Sequence, residues 1–137
     1  MINVTTRTQE ILETALATPP TRNRWSRRAI ARYLATQGLL GADKSTITKW
    51  EVLLRVIKDY RLRIPKDAKG NYLAGYSLDQ YQFFCVVKLS YLMTQIRADL
   101  NGCNYLPIIA QTLANPEIQK RYFSFDSWQN DLKDLAA

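Results

Sequence analysis

The residues of this 137-residue chain whose types could do chemistry are two cysteines and a crowd of cations, with no histidine among them. Without histidine there is no Ser-His-Asp or Cys-His activation of a nucleophile, no histidine zinc site and no histidine pH switch. Cys85 and Cys103 stand too far apart for CxxC chemistry and are too few for a zinc ribbon or a disulfide framework. Cys85 falls in an apolar run with Phe84, Val86 and Val87, the setting of a small buried hydrophobe. Asp and Glu are dispersed and offer no acid/base pair. No catalytic residue, metal site or cofactor is therefore expected, and the chemistry left is electrostatic.

The formal net charge is +7, and it is local. Residues 24–78 hold twelve Lys and Arg against four Asp and Glu, whereas the segments on either side are close to neutral. A solvated surface mixes both signs, so a block this lopsided is the footprint expected for phosphate. A composition that is 47% hydrophobic is that of a globular protein and not of a disordered basic tail.

These cations need elements to position them. Thr5 or Thr6 can cap a first helix carrying Ile11, Leu12, Ala15 and Leu16, which Pro19 and Pro20 end. Ser26 caps a second helix, with Ile30, Tyr33 and Leu34 as its apolar stripe and Arg27, Arg28 and Arg32 at the edges. After Gly38 and Gly41, Ser45 opens a third helix to about Lys58. There Ile47, Trp50, Leu53, Leu54 and Ile57 face inward, and Ser45, Thr48, Lys49, Val52 and Arg55 face out. Short hydroxyls near a helix N-terminus, a long cation and an apolar group for a thymine methyl are what a major-groove reader presents. Arg61-Leu62-Arg63-Ile64 alternates like a strand, a breaker-rich turn runs from Pro65 to Asn71, and Tyr72 to Tyr76 can return. That hairpin, with Arg61, Arg63, Lys66 and Lys69 on or beside it, reads as a wing laid on phosphate.

Ser77 then caps a long helix to about residue 101, with Gln80 at the N3 position of a capping box. Tyr81, Cys85, Leu89, Leu92, Ile96 and Leu100 form a coiled-coil-like seam on it, and Phe83, Phe84, Val86, Val87 and Tyr91 lie off the seam. A helix apolar nearly all round needs more than one neighbour. The expectation is a partner subunit on the seam, with an intramolecular core built from residues 1–17 and 105–136 as the competing account. The remaining helices carry Phe123, Phe125, Trp128, Leu132 and Leu135 as packing anchors.

The order of elements resembles the MerR family of winged-helix transcription regulators. The resemblance rests on Ile64-Pro65, on Gly70-Asn71-Tyr72-Leu73-Ala74-Gly75-Tyr76-Ser77-Leu78-Asp79-Gln80 at the wing-to-helix junction, and on Ser45-Thr46-Ile47-Thr48-Lys49-Trp50 at the start of the recognition helix. It covers about residues 25–95. The sequence departs from the family pattern in a longer turn over residues 35–44, in Leu73 where the family has Arg, and in the preceding helix. It also lacks the family's metal-sensing cysteine cluster and its large drug-binding domain. In size and layout it is similar to the small MerR-type repressors encoded beside cyanobacterial type V-K CRISPR-associated transposons. The resemblance implies a short, effector-free member.

The expected fold is mainly α: an N-terminal helix and linker (1–23), a winged helix-turn-helix with a small two-stranded β wing (24–77), and a long dimerisation helix with C-terminal helices (78–137). The expected function is a homodimeric repressor on an inverted repeat of double-stranded DNA. Arg27, Arg28, Ser45, Thr46, Thr48, Lys49, Arg55, Arg61, Arg63, Lys66, Lys69 and Tyr72 would touch bases or backbone. An excisionase-like or architectural DNA-bending factor is the alternative, and an adaptor of a nucleoprotein machine a third reading. No secretory pattern and no stretch of roughly 20 apolar residues is present, so a cytoplasmic, nucleoid-associated protein is expected.

Overall fold

The computed structural model describes residues 24–40, 43–101 and 104–136. The helix expected before Pro19 and Pro20 lies outside the described residues, as do Gly41, Cys103 and the side chains of Leu132 and Leu135. The chain is mainly helical. In order it runs β1 (Arg24–Trp25), α1 (Arg27–Thr36), α2 (Lys44–Leu54), α3 (Lys58–Leu62), β2 (Leu78–Asp79), α4 (Gln80–Asp99), α5 (Leu106–Ala114), α6 (Pro116–Ile118), a π-helical turn (Gln119–Phe123) and α7 (Phe125–Ala136). Among the described residues no helix is long and apolar enough to cross a membrane.

Ser26 caps α1 as its sequence predicts: it is extended, and its hydroxyl accepts the Ala29 N–H at 3.1 Å. Ile30, Ala31 and Leu34 turn inward, and Gly38 follows with φ of +66°, a conformation that glycine adopts without steric cost. The cap of α2 is Asp43 and not Ser45. Its carboxylate accepts both the backbone N–H and the hydroxyl of Ser45, each at 2.7 Å, which draws Ser45 into the first turn.

The strand expected over residues 61–64 is instead α3. Ile57, Tyr60 and Ile64 are buried at helical spacing, and Leu62 is 67% exposed, whereas a half-buried strand would have put it on the same face as Ile64. The hairpin survives in a reduced form. Lys66 and Tyr72 make a single antiparallel bridge, Leu73 N–H donates to the Pro65 carbonyl at 2.9 Å, and the Asp67 carboxylate takes the Lys69 and Asn71 amides at 2.8 and 3.0 Å. The two-stranded antiparallel sheet of the chain lies elsewhere, pairing Arg24 with Asp79 and Trp25 with Leu78. That pairing holds residues 78–79 extended, so α4 starts later than expected. Asp79, not Ser77, is the cap, and Gln82 is its capping-box partner.

α4 is the centre of the core. Tyr81, Cys85, Leu89, Leu92 and Ile96 of the proposed dimerisation seam are each at most 2% exposed within the single chain, and Leu100 is half-buried. The seam therefore corrects to an intramolecular one. Tyr81 packs edge-on to Phe125 and Trp128 of α7, while off the seam Phe83 stacks on Trp25 of β1 at 3.8 Å between ring centres. At the π-helical turn the Phe123 carbonyl accepts from the Tyr81 hydroxyl and lies 3.9 Å from Cys85 Sγ, and the Tyr122 carbonyl accepts from Lys88 Nζ. Side chains of α4 thus supply donors to the last carbonyls of that turn. Burial pushes the Cys85 thiol up to about 12, so it is no nucleophile near neutral pH.

Candidate nucleic-acid interface

The outward face of α2 carries Ser45, Thr48, Lys49 and Val52 at spacings of three and four, and all four are exposed. Val52, at 59% exposure, is one of the most exposed large hydrophobics in the chain. Thr46 is half-buried at the edge of this face, and the Thr48 hydroxyl donates back to the Lys44 carbonyl at 3.1 Å. Beside the face, the loop 72–76 closes a hollow of about 330 Å³ lined by Thr48, Val52, Arg55, Tyr72 and Leu73 among others. A second hollow of about 300 Å³, reaching Ser26, Arg28 and Ser77, shares Arg27, Lys44, Gly75 and Tyr76 with the first. The two form one furrow running from the start of α1 along α2 to the hairpin.

Of the expected contact residues, Arg27, Arg28, Thr48, Arg55 and Tyr72 line this furrow. Ser45 and Lys49 stand on the adjoining face of α2, and Lys66 and Lys69 are exposed on the hairpin. The Tyr72 ring is held between two cations, with the Arg55 guanidinium 4.8 Å and Lys66 Nζ 5.5 Å from its centre. Such cation–π contacts stiffen an aromatic at a polar surface. Among the described residues Arg28, Lys44, Lys49 and Lys69 take part in no ion pair, which leaves their charges available to an outside anion.

Three of the expected contact residues have partners within the chain. Arg27 is turned inward, its side chain only 11% exposed, with Nε 2.5 Å and Nη2 3.0 Å from the Glu51 carboxylate and Nη1 donating to the Tyr76 carbonyl at 2.8 Å. Burial works against its charge, but the hydrogen bond and charge of Glu51 more than offset that, so its pKa is raised. Arg61 donates to the Arg55 carbonyl at 3.0 Å, satisfying the end of α2 instead of lining a wing strand. Arg63 pairs with Asp79 at 2.5 Å and lies over the Phe125 ring at 4.9 Å, which fastens it to the junction of β2 with α7.

Two features escaped the reading of the sequence. Lys44 lines both hollows, one residue before the position taken as the helix start. Glu51 is 2% exposed and accepts from Arg27, from the Tyr60 hydroxyl at 3.2 Å and from the Tyr76 hydroxyl at 2.6 Å. Its signal was present: position 51 falls on the inward arc with Ile47, Trp50 and Leu54, and an acid there needs a buried cation. Burial first, then the Glu51 carboxylate, raises the pKa of both tyrosines.

Among the described residues no group of three or more His, Cys, Asp or Glu side chains could hold a metal ion. No family model, no curated protein and no solved structure matches the chain.

Proposed function

We propose that this chain is a sequence-specific binder of double-stranded DNA, built as a winged helix-turn-helix of the MerR type and acting as a repressor by occupying a promoter. The observation that carries the reading is the furrow: an exposed α2 face of hydroxyls, a lysine and a valine, flanked by a lysine-bearing hairpin, all within the basic block. α2 enters the major groove with Lys49 and Val52 toward base edges. Lys66 and Lys69, with Arg28 and Lys44 at the other end of the furrow, take backbone phosphates. α1 and α2 pack against each other through their apolar faces, as the two helices of such a unit must. A pair of chains reading an inverted repeat would meet through surfaces other than the buried α4 seam.

Selection of bound fragments from random duplex DNA by the purified chain tests the whole reading. A selected inverted repeat is expected, and a pool with no enriched sequence overturns sequence-specific binding. On the selected site, Lys66→Ala should weaken binding to all sequences alike and lower the salt slope by about 1, the value of one lost phosphate contact. Lys49→Ala should cost roughly 1–3 kcal/mol on the selected site only, which titrations of cognate and scrambled duplexes will separate. Equal losses for the two variants on the two duplexes would contradict these roles.

A further inference from the structure

Between the buried Ile64 and Leu78, every residue of the hairpin and its return loop is exposed except Tyr72 and Tyr76, which are half-buried. A segment with so little burial has no apolar core of its own, so its position against α2 depends on what holds those two rings. Tyr72 rests on Arg55 at the end of α2. Tyr76 is tied more firmly. Its hydroxyl donates to Glu51 Oε1 at 2.6 Å, its carbonyl accepts from Arg27 Nη1 at 2.8 Å, and its ring lies 4.7 Å from the Arg27 guanidinium. Arg27 in turn makes a two-pronged pair with Glu51, so one residue each from α1, α2 and the return loop meets at a single buried carboxylate.

We propose that Tyr76, held by Glu51 and Arg27, is a positioning residue that sets the hairpin at a fixed distance from the outward face of α2. It forms part of the furrow wall yet acts through the residues it places: Lys66, Lys69 and Tyr72 on one side, Lys49 and Val52 on the other. The inference rests on the DNA-binding reading. Its consequence is that cooperation between phosphate and base contacts is fixed by an internal ion pair, before any DNA arrives. A preorganised surface loses less freedom on binding than a loose one.

Tyr76→Phe in the full chain tests it. The variant keeps the ring under Arg27 and the backbone carbonyl, and leaves Glu51 its donors from Arg27 and Tyr60, so the fold is retained. Amide exchange at Leu73, whose N–H is held by Pro65 across the hairpin base, should quicken about tenfold, the value of one hydrogen bond to a charged group. Exchange within α4 should stay as it was. Affinity for a duplex carrying the selected site should fall by a similar, about tenfold, factor, with affinity for a same-length scrambled duplex unchanged. Unchanged exchange at Leu73 overturns the inference, and so does faster exchange with undiminished preference for the selected site. An unaltered chain that binds neither duplex overturns the DNA reading itself and the inference with it. That failure is visible in the unaltered chain alone.

Discussion

Glu51→Ala is expected to cost about 3–5 kcal/mol of folding stability, the largest effect of any single substitution outside the apolar core. The carboxylate is 2% exposed and takes hydrogen bonds from Arg27, Tyr60 and Tyr76. Its removal strands a guanidinium whose side chain is 11% exposed, together with the hydroxyl of Tyr60, itself fully buried. The cost is that of leaving a largely buried guanidinium with the Tyr76 carbonyl but no counter-ion, and a buried hydroxyl without its carboxylate acceptor, which exceeds what the contacts contribute when intact. Against a total stability of roughly 5–15 kcal/mol, a loss of this size takes a large fraction of the margin that keeps the chain folded. Replacing both charges by apolar groups of similar size, Arg27→Met with Glu51→Leu, should recover part of the loss, because no buried charge remains. Urea unfolding of the three chains checks this. A Glu51→Ala chain within about 1 kcal/mol of the unaltered one would mean that the pair behaves as an exposed salt bridge.

The same cluster shows where the sequence was legible. α1 could be read because cap and stripe agree: Ser26 and the buried Ile30 and Leu34 stand in the register that the pattern demands. The outward face of α2 was legible for the same reason, and only its first residues were misplaced, because an Asp two positions before Ser45 competes for the cap and wins. Residues 61–64 were misread because four alternating residues fit a strand and a helical turn equally well. The deciding facts lie outside that window, in Ile57 and Tyr60, which share the helical face. β1 left no periodic trace at all, since its two residues become a strand only by pairing with residues 53 and 55 positions away. The α4 seam exposes a different limit. Its spacing was right, but spacing tells that a face is covered and not by which chain. Here Phe125 and Trp128 of the same chain pack on Tyr81, and the seam from Tyr81 to Ile96 is buried within the single chain. Arg27, Arg61 and Arg63 show a related limit: composition placed them in a basic block, and only the fold shows Arg27 and Arg63 paired with Glu51 and Asp79 and Arg61 donating to the Arg55 carbonyl. Of the cations that remain outward, Arg28 and Lys44 line the furrow, Lys49, Lys66 and Lys69 stand beside it, and Arg24, Arg32 and Lys58 are exposed away from its lining.

Raising the pH from 8 to 10 should destabilise the unaltered chain by about 1–2 kcal/mol more than the Cys85→Ala chain, reflecting a single thiol. Cys85 is buried, and burial pushes its thiol up to about 12. In the unfolded chain the same thiol titrates near the ordinary value of about 8.5. A group whose folded pKa is raised favours the folded state fully at pH below its unfolded value, and that contribution drains away as pH climbs toward the folded value. Above about pH 8.5 the unfolded chain binds fewer protons at this site than the folded one, and each pH unit costs about 1.4 kcal/mol until the folded thiol ionises. Lys88, one turn along α4, acts with the opposite sign. Burial lowers its pKa despite Asp131 at 3.3 Å, so the folded chain gives up that proton sooner and gains stability as pH rises toward the unfolded lysine value of about 10.4. Tyr60 and Tyr81, both raised by burial, add losses of the thiol's sign from about pH 10 upward. The unaltered chain and the Cys85→Ala chain share Lys88 and both tyrosines, and the thiol interacts with all three, so the difference between their urea midpoints across the pH series reports the thiol together with its coupling to them. Parallel curves would show that Cys85 is not sequestered as the packing of α4 against the π-helical turn requires. A gap that opens from about pH 8.5 is the expected result, the mark of a thiol withdrawn from water in the folded state and returned to it on unfolding.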